Sequence, residues 1–148
     1  MTKYPIGLQN FQGLREDGYA YIDKTAFVYE LATTGKYYFL SRPRRFGKSL
    51  LISTIEAYYQ GKRELFKGLA LERLEKDWTV HPVLHMDLNA RDYENMDSLL
   101  SELNKHLEYW EKDYGDEFKD REPEERFQHV IDNAVRKTGQ QVVILVDE

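Results

Sequence analysis

Tyr37-Tyr38-Phe39-Leu40-Ser41-Arg42-Pro43-Arg44-Arg45-Phe46-Gly47-Lys48-Ser49 reads as an apolar strand running directly into a basic, glycine-containing turn. Gly47, Lys48 and Ser49 complete the second half of the pattern G-x-x-x-x-G-K-S/T. In such a loop, backbone amides cradle phosphates, the lysine reaches the β and γ phosphates, and the hydroxyl binds Mg²⁺. Arg42 stands where the first glycine of that pattern belongs, so either the loop turns there without a positive φ or the backbone takes a different route. Taken alone, the segment also reads as a basic turn between a strand and a helix.

The carboxyl end of the chain supplies a second signature. Val142-Val143-Ile144-Leu145-Val146 is a continuous apolar run, and Asp147-Glu148 follow it. Such a run suits a parallel strand covered on both faces, with the acids emerging at its carboxyl end, where open α/β sheets bind ligands. An aspartate there can hold Mg²⁺, and an adjacent glutamate can activate the water that attacks a γ phosphate. Taken alone, the run is a core strand ending in solvated acids. Together the two motifs predict an α/β fold of the P-loop NTPase type, a three-layer sandwich around a mainly parallel sheet.

The predicted phosphate-binding segment is Arg42, Pro43, Arg44, Arg45, Phe46, Gly47, Lys48, Ser49 and Leu50. Ser49 and Asp147 are the predicted Mg²⁺ ligands, and Glu148 and Lys48 the predicted catalytic residues. ATP and Mg²⁺ are the expected ligands. Arg44 and Arg45 are expected near phosphate, although a salt bridge to Asp23 or another acid would serve them equally well. His85 has no second metal-binding side chain at suitable spacing and reads as a core residue. Asp87 on the same predicted strand reads as a structural strand-end acid, the alternative being a place near the site if that strand neighbours the phosphate loop.

The 148 residues, 41% of them apolar, are enough to fill one core, and a single domain spanning residues 1–148 is the expectation. The chain has no cysteine, which excludes a disulfide framework or thiol nucleophile. No stretch approaches the roughly 20 apolar residues needed to span a bilayer, and the amino terminus lacks a signal core. A soluble, cytoplasmic protein without membrane contact follows.

Net charge is -5, which argues against a general grip on nucleic acid. The charge is uneven, however. Five cations and no acid lie between Lys36 and Lys48, whereas nine acids lie between Glu108 and Glu125, so a polyphosphate would be drawn to the first segment.

Helices are expected from Asp23 as cap to Thr34, from Ser49 to Tyr59 with Leu50, Leu51, Ile55 and Tyr58 inward, and from Ser98 to Tyr109. Another is expected from Pro123, with Phe127, Val130, Ile131, Ala134 and Val135 on its apolar face and Gly139 as terminator. Residues 62–78 read as one helix or two short ones, residues 83–88 as a strand, and residues 112–122 as a mobile loop.

The chain resembles the AAA-ATPase-like domain of a large group of bacterial proteins. The resemblance rests on Tyr4-Pro5-Ile6-Gly7, Phe11, Leu14-Arg15, Gly18-Tyr19 and Tyr21-Ile22-Asp23-Lys24-Thr25, then on Tyr37 through Leu51, and on Phe66-Lys67-Gly68-Leu69. Arg42 in place of glycine is that family's own habit. The resemblance implies a P-loop ATPase core with Lys48 on phosphate, Ser49 and Asp147 on Mg²⁺, and Glu148 activating water. Family members continue beyond the Asp-Glu strand, often into a domain resembling restriction-type nucleases, so the sequence is expected to be an amino-terminal portion truncated after that strand. A fused nuclease-like domain and a homo-oligomer are the expected partners, with nucleic acid engaged only indirectly. For these residues alone the expectation is binding with little turnover.

Three functions are therefore in view: an ATP-hydrolysing switch, a nucleotide-binding module without turnover, and a nucleic-acid-interacting protein using the basic loop. A GTPase is disfavoured, because Asn104-Lys105 continues as His106-Leu107 rather than into a guanine-reading motif.

Overall fold

The computed structural model describes residues 10–34, 48–88 and 95–147. The chain divides into two compact units, residues 1–80 and 81–148. Each is built around its own buried cluster. The predicted strand at Tyr37–Ser41 and the turn at Arg42–Gly47 lie outside the described residues.

The first unit is helical where it is described. Helix α1 (Phe11–Glu16) begins at Asn10, whose side chain accepts the Gly13 amide. This helix was not anticipated, since six residues are too few to display a helical period. Helix α2 (Thr25–Thr34) starts two residues after Asp23, whose Oδ1 accepts both the Thr25 amide (2.9 Å) and the Thr25 hydroxyl (2.6 Å), as the sequence predicts.

Helix α3 (Lys48–Tyr59) follows, then a 3-10 turn at Arg63–Phe66 and the short helix α4 (Ala70–Leu74). Residues 62–78 thus carry two short helical pieces, one of the two readings the sequence allows. Gly61, just before them, and Gly68, within them, have positive φ and break the period.

Helix α4 has no cap of its own from the preceding residue. Asp23 Oδ2 instead accepts the Ala70 amide at 2.8 Å, and the buried Thr25 hydroxyl accepts the Leu71 amide at 3.0 Å. One Asp-x-Thr sequence therefore caps two helix starts at once. Burial pushes the Asp23 carboxyl up, but the bonds from Thr25 and Ala70 outweigh it and hold the group below the ordinary aspartate range. Phe11, Val28, Leu51, Tyr58, Leu65, Phe66 and Leu71 fill the core. Phe27, expected on the apolar side of α2, is 42% exposed.

The second unit is a parallel pair of strands joined through two helices. Strand β1 (Val83–Asp87) leads to α5 (Met96–Tyr114), then α6 (Pro123–Thr138), then β2 (Val143–Asp147). Parallel strands need a long crossover, and the two helices supply it. Leu84, Leu107, Trp110 and Val130 are buried between helices and sheet.

Pro123 occupies the first turn of α6, and Gly139 ends it at φ 70°, as predicted from their side-chain chemistry. Helix α5 extends past the expected Tyr109 into residues that the polar composition had suggested as loop. The segment after it is held in place: Phe118 stacks on His129 at 4.0 Å between ring centroids, and Arg121 lies 4.2 Å from the same ring.

The α/β class is therefore as predicted, and β1 and β2 are parallel. Coverage of the apolar run is not as predicted. Ile144 and Val146 are 44% and 49% exposed, because α5 and α6 bury Leu84 and Met86 of the neighbouring strand more completely than β2 itself. Val135 of α6 is likewise 42% exposed.

Candidate nucleotide site

Lys48 is the first residue of α3, so the residues after Gly47 do open a helix of 12 residues. The first turn carries no acid, which leaves the positive end of the helix dipole uncompensated by any side chain of its own. Ser49 and Leu50 are half-buried on the same turn.

Two hydroxyls fix that turn from within. Ser53 Oγ and Thr54 Oγ1 both donate to the Leu50 carbonyl, at 2.9 and 2.7 Å. Ser53 Oγ in turn accepts the Phe11 amide at 2.9 Å, which ties the start of α1 to α3. Leu50 also packs against the core of the first unit. Its place is therefore structural as well as adjacent to the predicted loop. Arg42, Pro43, Arg44, Arg45, Phe46 and Gly47 lie outside the described residues.

In the second unit, Asp147 ends β2 and is 3% exposed. It stands at the carboxyl end of a parallel strand, where the sequence placed it. Its carbonyl accepts the Leu88 amide at 2.7 Å, so the ladder continues one residue beyond β1. Glu148 lies outside the described residues.

Asp147 has an acidic neighbour on β1. Asp87 is its Cα partner in the parallel register, so two aspartates share one position at the carboxyl edge of the sheet. The sequence shows that Asp87 ends a strand but not which residue it stands beside, because pairing register cannot be read from either strand alone. His106 Nε2 lies 3.4 Å from the Asp87 carbonyl oxygen, and its ring stacks on Trp110 with centroids 5.7 Å apart. A side chain from α5 thereby reaches the end of β1.

The structure thus groups Lys48, Ser49 and Leu50 on one helix turn, and Asp87 and Asp147 on one sheet edge. Among the described residues, no group of three or more histidines or acids could hold a metal ion. His85 lies on β1 and is half-buried. No helix among the described residues is long and apolar enough to cross a membrane.

A protein family described as "Predicted AAA-ATPase" matches residues 5–148. An "Uncharacterized protein in vnfD 5'region" of Azotobacter chroococcum mcd 1 is 41% identical over 151 residues. The alignment covers 99% of this chain and 28% of that protein's length. No solved structure matches. With the match extending over almost the whole sequence, through the helix opened by Lys48-Ser49 and the strand closed by Asp147, the chain belongs to the AAA-ATPase-like family.

Proposed function

We propose that residues 1–148 form the amino-terminal part of a P-loop ATPase domain that binds Mg-ATP and uses its hydrolysis to drive a conformational switch in a longer protein. The observation that carries this reading is the placement of Lys48 and Ser49 in the first turn of α3, next in sequence after the basic segment and with no acid in that turn. A helix start of that kind stabilises anions through its free amides and its dipole.

In this reading Arg42 to Ser49 wrap the triphosphate, Lys48 neutralises the β and γ phosphates, and Leu50 anchors the loop to the core. Ser49 and Asp147 offer hard oxygen donors of the type Mg²⁺ takes. The metal, when bound, neutralises phosphate charge and fixes its geometry. Glu148 orients and deprotonates the attacking water. The complete domain is a three-layer sandwich, resides in the bacterial cytoplasm, and operates as an oligomer or with a fused nuclease-like domain. Any nucleic acid is engaged through that domain.

A binding module without turnover is the second reading. It is favoured if bound nucleotide is found without phosphate release in the longest natural gene product. The basic loop as a nucleic-acid grip is the third, and salt-dependent DNA binding that ATP fails to displace would select it.

Calorimetry with ATP and Mg²⁺ on this chain and on Lys48→Ala tests the proposal. Binding by the parent and its loss in the variant is the expected result. Equal binding by both folded proteins would remove the phosphate-loop assignment.

A further inference from the structure

Residues 75–80 fold back over the carboxyl end of α3 through three kinds of contact. Glu75 is the centre of the first. Its carboxylate accepts the Lys76 and Asp77 amides at 3.1 and 3.0 Å and the hydroxyl of Tyr58, the penultimate residue of α3. Trp78 makes the second, with its indole tilted against Tyr58 (5.8 Å between centroids) and Phe66 (5.3 Å). The third is at Gly61, where an added Cβ would lie 2.8 Å from Val80 Cγ2 and 3.1 Å from the Trp78 carbonyl oxygen. The strap therefore rests on bare backbone.

Two features oppose this closed arrangement. Trp78 has φ 48°, the one non-glycine residue with positive φ among those described, and a bulky side chain there marks strain. Its indole Nε1 is buried with no hydrogen-bond partner among the described residues, which costs free energy that water would restore on opening. Burial of the indole and the Tyr58–Glu75 bond pull the other way.

We propose that residues 75–80 are a releasable clasp that couples the end of α3 to the chain entering β1, closing when nucleotide occupies the other end of α3. The inference rests on the nucleotide-binding reading given above. Lys48 and Tyr58 lie on one helix, about 15 Å apart along its axis. An anion at the amino end of α3 favours its helical form, and in that form the Tyr58 hydroxyl meets Glu75. Beyond Val80, only His81 and Pro82 precede β1, so the clasp joins the helix opened by Lys48 to the strand that ends at Asp87.

The chain contains two tryptophans, and Trp110→Phe leaves Trp78 as the single reporter. Mg-ATP is expected to shift Trp78 emission to the blue and to lower acrylamide quenching by about two-fold. Tyr58→Phe is expected to abolish that response and to leave the emission red-shifted without ligand. If Trp110→Phe does not fold, fluorotryptophan resonances of the otherwise unaltered protein, assigned with Trp78→Phe, give the same readout.

ATP binding by calorimetry with unchanged Trp78 emission and quenching would overturn the clasp. No ATP binding at all would instead overturn the nucleotide-binding reading. In that case Tyr58→Phe decides the clasp by itself: a red shift supports it, and emission identical to the parent removes it.

Discussion

Asp87 and Asp147 are register partners on adjacent parallel strands, so two carboxylates leave the sheet's carboxyl edge on the same face, on strands about 4.8 Å apart. Like charges placed opposite each other on a sheet are destabilising by about 0.2–1 kcal/mol. Asp87→Asn is therefore expected to raise stability by up to about 1 kcal/mol in metal-free buffer, read as a higher urea midpoint. Asp147→Asn, at a buried position, should abolish any Mg²⁺ dependence of nucleotide binding. Isothermal titration with and without the metal checks that outcome.

Arg126 and Glu111 form an ion pair between α6 and α5, with side chains 8% and 4% exposed. Glu111 takes two guanidinium nitrogens, and Asn104 Oδ1 accepts a third at 3.0 Å. The guanidinium is held charged, its pKa raised chiefly by the bonds to Glu111. Removing one partner strands a buried charge, so Arg126→Ala should cost about 3–5 kcal/mol. Replacing both residues by apolar ones of similar size should recover most of that loss in chemical denaturation.

Acid should loosen the first unit through Asp23 and Glu75. Burial pushes Glu75 up, but hydrogen bonds from the Tyr58 hydroxyl and the following amides hold it below the ordinary glutamate value of 4.5. Asp23 is depressed in the same sense. A carboxylate with a lowered folded-state pKa contributes stability above its unfolded pKa and loses it as pH falls through the folded one. Stability should hold near neutrality and decline below about pH 4.5. Glu75→Gln should flatten that decline, as seen by circular dichroism across pH.

Gly61 carries φ +71° and lies against Val80 and the Trp78 carbonyl. Gly61→Ala should destabilise by about 1–3 kcal/mol, since both the positive φ and the 2.8 Å approach to Val80 oppose a Cβ. Gly68 and Gly139 have no atoms within 4 Å of an added Cβ, so alanine there should cost less. Thermal melts of the three variants compare them directly.

Much of the local structure was legible in the sequence because it depends on neighbours along the chain. Asp23 before Thr25, Pro123 at the start of α6 and Gly139 at its end act within one helical turn, and each stands where its chemistry predicted. Lys48-Ser49 opens α3, and the apolar run ends at Asp147 as a parallel strand. Short α1 was missed for want of a period, and α5 ran past Tyr109 because burial of Trp110 and Leu107 outweighs the polarity of the residues around them.

The sequence by itself determined the α/β class, the helix boundaries set by caps and breakers, the absence of cysteine chemistry, and the family. All of these depend on residue type and on spacing along the chain. Only the tertiary structure decided that Asp87 sits beside Asp147, that Asp23 and Thr25 also cap α4, and that Glu75 joins Tyr58 to a left-handed Trp78. Those relationships link residues far apart in sequence, 17 positions for Tyr58 and Glu75 and 47 for Asp23 and Ala70, and strand register and long-range capping follow from how the elements pack.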